Sequence, residues 1–123
     1  MAEIRLPDHV PGSEFCMEFP QLMANRMAVS YSKYGPVKEG FPDKVDALET
    51  LEVRLRQYRD TGNLDYLVDV ANYAMIEFML PAHPQAHRDS GDGGGNVSPG
   101  RFARNHPDTL TQEPNKNLEL KGD

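Results

Sequence analysis

Residues 41–80, FPDKVDALETLEVRLRQYRDTGNLDYLVDVANYAMIEFML, decide the fold, because two helical patterns lie either side of one short break. In the first half Val45, Leu48, Leu51, Leu55 and Tyr58 recur at the spacing of one helix face, and neither Gly nor Pro interrupts them. Asp43, directly after Pro42, is the expected N-cap. The break Thr61-Gly62-Asn63 supplies a glycine for a left-handed C-cap and an asparagine able to cap the next helix. The second pattern runs from Leu64 to Leu80 and stops before Pro81 and Pro84. The expectation is an antiparallel hairpin of two helices of about 15 residues each.

The acids on this hairpin are informative. At about 100° per residue, Glu52 falls between Leu48 and Val45, inside the apolar arc of the first helix, with Glu49 at its edge. On the second helix Asp65, Asp69 and Asn72 share a narrow polar stripe beside a wide apolar face. A carboxylate facing a core must be paired, protonated or bound to a metal, because an isolated buried charge is too costly. Glu49, Glu52, Asp65 and Asp69 on facing helices make an all-oxygen set of the kind Mg²⁺ prefers. The same residues also allow a plainer explanation. Glu49, Glu52, Arg56 and Arg59 form one charged row, Glu52 to Arg56 has the order of an ordinary helix ion pair, and Asp65 suits the helix dipole as a first-turn acid.

Glu49-x-x-Glu52 followed by Asp65 and Asp69 resembles the ExxE…ExxD signature of the all-α nucleoside triphosphate pyrophosphohydrolases, the MazG-like and dimeric dUTPase-like group. The run from Leu67 to Met75, LVDVANYAM, is similar to a helix of small phage and bacterial members. Arg26 to Gly35, RMAVSYSKYG, resembles their first helix. The likeness covers residues 20–80 and departs from the signature at Tyr66, where an acid would stand; Asp65 lies one residue earlier, rotated by roughly a quarter to a third of a turn. The resemblance implies that Glu49, Glu52 and Asp69, with Asp65, bind Mg²⁺, and that Glu49 and Glu52 are the catalytic acids. It further implies a metal-activated water that cleaves between the α and β phosphates of a nucleotide. Lys33 and Arg56 are the nearest basic groups for the phosphates, and Asn72, one turn beyond Asp69, is placed to hydrogen-bond a base or sugar.

Composition bounds these readings. A chain of 123 residues with 38% hydrophobic content and net charge −6 holds one small domain whose core comes from its middle third. Without a basic stripe, general nucleic-acid binding is not expected. The single cysteine, Cys16, excludes an internal disulfide and suits a cytoplasmic protein, and neither a signal peptide nor a membrane-length apolar run is found.

Working outward, residues 1–19 read as an extended arm with Ile4, Leu6, Val10, Phe15 and Met17 available to pack. A helix from Pro20 to about Lys33, closed by Gly35-Pro36, precedes a loop over residues 36–44. The helix after Asn63 also carries Tyr66, Val70, Tyr73 and Ile76, so apolar groups cover most of its circumference. The fold class is therefore all-α: a helical hairpin plus an N-terminal helix, completing a four-helix bundle as a homodimer or higher homo-oligomer. His83 and His87 are separated by Pro84, which opposes a helical metal pair. Residues 83–123, rich in Gly, Pro, Asn, Asp and Ser, read as a disordered tail.

Two functions follow from different classes. One is a Mg²⁺-dependent nucleoside triphosphate pyrophosphohydrolase acting on deoxynucleotides or nucleotides. The other is a non-catalytic helical oligomer, phage-like in the same resemblance, that binds a nucleotide or a host protein.

Overall fold

The computed structural model of the chain describes residues 3–91 and 95–97. Three α-helices account for most of them: α1 over Glu18–Tyr34, α2 over Ala47–Thr61 and α3 over Asp65–Met79. Short 3₁₀ turns occupy Gly12–Glu14 and Val37–Glu39, and no strand occurs among the described residues. All of these elements belong to a compact unit, Met1–Ala86. The expected tail belongs largely to a second unit, His87–Asp123, and its residues 92–94 and 98–123 lie outside the described residues.

The stop signals act where the sequence places them. Gly35 closes α1 at φ +84°, its N–H donating to the Tyr31 carbonyl at 2.9 Å, and Pro36 prevents continuation. Gly62 closes α2 in the left-handed region, φ +77° and ψ 7°, and its N–H reaches the Tyr58 carbonyl at 2.8 Å. Asn63 Oδ1 then accepts from the Asp65 N–H at 3.0 Å, satisfying a free donor at the start of α3.

The start of α2 corrects the expected N-cap. Asp46, not Asp43, caps the helix, accepting from the Glu49 N–H at 3.1 Å. At Asp43 the chain is still turning, with the Lys44 and Val45 N–H groups both donating to the Gly40 carbonyl. Val45 therefore precedes the helix and is not part of its inward face.

The hairpin of α2 and α3 forms the most extensive interface, and α1 packs on α3. Ala47, Val68 and Ile76 are the buried apolar residues, with Asn72 buried beside them. Along α2 the inward side is Ala47, Leu51, Arg54, Leu55 and Tyr58. That face is turned by most of one residue step from the arc centred on Leu48 and Leu55, and Leu48 is 44% exposed. Glu52 consequently lies in solvent, not inside an apolar arc. No large side chain is fully buried among the described residues, while Val53, Leu64 and Met79 remain exposed. No helix among them is long and apolar enough to cross a membrane.

Candidate functional site

A single carboxylate ties the three helices together. Asp69 projects from α3 with its side chain only 15% exposed, and two guanidinium groups converge on it. Arg26 of α1 places Nη2 2.9 Å from Oδ1 and 3.2 Å from Oδ2. Arg54 of α2 places Nε 3.4 Å from Oδ2, and its Nη1 donates to Gln57 Oε1 at 3.1 Å. Helical spacing explains the last contact, since Arg54 and Gln57 stand three residues apart on one side of α2. The pairs offset the cost of taking Asp69 out of water and leave one positive charge in excess.

One turn further along α3, Asn72 is 5% exposed. Its Nδ2 donates to the Met23 carbonyl of α1 at 3.2 Å. Only an amide NH₂ can donate to a carbonyl, so this contact fixes which way the side chain faces. Its Oδ1 is buried with no hydrogen-bond partner in the protein. An acceptor left in that condition costs about 1–3 kcal/mol.

Asp69 and Asn72 line the same open groove, a cavity of about 790 Å³ bounded by the second half of α1, the segment after it, Arg54 and the middle of α3. Its cations are Arg26, Lys33, Lys44 and Arg54, and its acids are Glu39 and Asp69. The groove therefore carries an excess of positive charge in a chain whose net charge is −6. It also has an apolar component: the rings of Phe41 and Tyr73 lie 6.3 Å apart, inclined at 50°. Cationic groups and aromatic rings lining one groove suit an anion attached to a planar body.

The residues singled out from sequence are divided by this geometry. Lys33, Asp69 and Asn72 come together in the groove. Glu49, Glu52, Asp65 and Arg56 are exposed and are not among its lining. The expected four-carboxylate set is thus not gathered within one chain, and among the described residues no three His, Cys, Asp or Glu side chains are placed to hold a metal ion. The charges around Asp69 are guanidinium groups, which repel a dication. These residues do not fit Mg²⁺.

The pattern of apolar residues missed Arg26, Arg54 and Lys44. Arg54 had a visible signal, because it lies seven residues after Ala47 and four before Tyr58, on the same side of α2. A cation on an inward stripe requires an anionic partner, and Asp69 is the one on the facing helix. Lys44 follows a turn that brings the chain back over the groove, and periodicity carries no signal for it.

No known protein family, curated protein or solved structure matches this chain.

Proposed function

We propose that this protein is a non-catalytic helical module that binds a phosphate-bearing small molecule of the nucleotide class in the groove between α1, the segment after it and α3. The observation that carries the reading is the gathering of four cations, Arg26, Lys33, Lys44 and Arg54, with the aromatic residues Phe41 and Tyr73 in one groove. Arg26 and Arg54 are held in place by Asp69, so they meet an incoming phosphate already oriented. Lys33 and Lys44, both exposed, add further positive charge to the groove. Hydrolysis has less support, because the acids it would need stand in solvent on α2 and at the start of α3.

The same proposal includes self-association. Four residues of the described chain are well buried and the apolar side chains of Leu48, Val53 and Leu64 are exposed, so the hairpin alone has a thin core. A second copy packed against it supplies the missing enclosure.

Equilibrium binding of nucleoside mono-, di- and triphosphates, with and without Mg²⁺ and with pyrophosphate release followed in parallel, tests the reading. Binding without metal and without turnover is expected. Mg²⁺-dependent pyrophosphate release that disappears in Glu52→Gln would overturn it and restore the hydrolase.

A further inference from the structure

The charged groups of the groove do not balance, and several of its donors are unused. Asp69 engages Nη2 of Arg26 and Nε of Arg54, and Gln57 Oε1 accepts from Nη1 of Arg54. Among the described residues these contacts leave Nε and Nη1 of Arg26 and Nη2 of Arg54 without an acceptor. Lys33 and Lys44 line the same groove, both are exposed, and neither forms an ion pair among the described residues; Lys33 Nζ lies 5.9 Å from the Tyr34 ring centroid. Four cations, Arg26, Lys33, Lys44 and Arg54, set against the two acids Glu39 and Asp69 leave an excess of two positive charges.

Resting on the nucleotide reading above, we infer that the groove recognises the terminal phosphate of a free nucleotide, a phosphate monoester, and discriminates against the phosphodiester of a cyclic nucleotide or of a nucleic-acid strand. At neutral pH a monoester carries a charge of about −1.5 to −2 and presents three strong acceptor oxygens. A diester has a single negative charge and one acceptor fewer. The positive excess in the groove is the complement of the monoester. Donor chemistry points the same way, because guanidinium and ammonium groups donate and never accept, so every phosphate oxygen brought to them is met by an N–H. Arg26 and Arg54 converge on one carboxylate from different helices, which sets their unused donors close together. Outside the groove the balance reverses. The chain as a whole has a net charge of −6, so a strand carrying further phosphates past the groove would meet repulsion.

Calorimetric titration at about pH 8, where a phosphate monoester is a dianion, with adenosine 5′-monophosphate, adenosine 5′-methylphosphonate and adenosine tests this. The methylphosphonate has a methyl group in place of one terminal oxygen, so it loses one charge and one acceptor at nearly constant size. The monophosphate is expected to bind about tenfold more tightly than the methylphosphonate, the effect of one charge-assisted hydrogen bond, and adenosine is expected to bind more weakly than either. In the double variant Lys33→Met, Lys44→Met the ratio of monophosphate to methylphosphonate affinity is expected to shrink, since the positive excess is then gone. The wild-type comparison stands without the variant, should the double variant not fold. Equal binding of monophosphate and methylphosphonate, or a ratio unchanged in the folded double variant, would overturn the inference and leave the groove reading intact. Adenosine binding as tightly as its monophosphate, or binding of none of the three, would overturn both.

Discussion

Arg26 and Asp69 stand 43 positions apart in the sequence, yet the guanidinium of the first meets the carboxylate of the second at 2.9 Å. Arg54 reaches the same carboxylate from α2. One acid therefore joins three helices whose apolar contacts are sparse, and it keeps two cations at the edge of a groove.

This arrangement ranks the three residues. Asp69→Ala removes the mostly buried anion shared by two guanidinium groups and is expected to lower stability by about 1–2 kcal/mol. Arg26→Ala is expected to cost less than about 1 kcal/mol, because Arg26 is half exposed and its pair is screened by water. Arg54→Ala falls between them, as its exposure does. Urea denaturation of the three variants checks the order; an Arg26 variant less stable than the Asp69 variant would contradict it.

The two candidate caps of α2 separate cleanly. Asp46→Ala is expected to destabilise the protein by about 1 kcal/mol through loss of the bond to the Glu49 N–H. Asp43→Ala, outside the helix, is expected to leave the urea midpoint unchanged. Equal losses would mean that α2 begins earlier than Ala47.

Gly62 gives a purely conformational test. A Cβ at this position would meet nothing within 4 Å, so any cost of Gly62→Ala comes from φ +77° alone. About 1–2 kcal/mol is expected. Gly12→Ala, also in open space but without a positive φ, serves as the control and is expected to be neutral. A neutral Gly62→Ala would show that the hairpin turn is not held in the left-handed conformation.

The hairpin was legible in the sequence because its signals are local. Gly62 and Asn63 break a run otherwise free of breakers, Gly35-Pro36 and Pro81 close the other helices, and each works through its own backbone conformation. The facing of α2 was less legible. Counting leucines centres the face on Leu48 and Leu55; Leu55 does turn inward, but Leu48 is exposed, and the hairpin also turns in Ala47 and Arg54, a small residue and a charged one that such a count ignores. With that rotation Glu52 moves into solvent, and the acid cluster built on it is dispersed. Asp69 and Asn72 were visible as a polar stripe on an apolar helix, but their partners, Arg26, Arg54 and the Met23 carbonyl, depend on which helices meet.

Electrostatics gives a prediction for binding. Because the groove is cationic and open, nucleotide affinity is expected to fall by about tenfold between roughly 0.05 and 0.5 M NaCl, as screening shortens the reach of Lys33 and Lys44. Lys33→Ala is expected to weaken binding, and Arg56→Ala, outside the groove, to leave it unchanged. Salt-independent affinity, or a loss confined to Arg56→Ala, would place the phosphate elsewhere.

The most direct measurement is the amide NMR spectrum of the protein titrated with a nucleoside monophosphate and, separately, with Mg²⁺. Binding in the groove predicts that nucleotide alone moves resonances of Asp69, Asn72, Tyr73 and the segment from Lys33 to Lys44, while Mg²⁺ alone moves few. Shifts centred on Glu49, Glu52 and Asp65 that appear with Mg²⁺ and are required for nucleotide to bind would contradict the account.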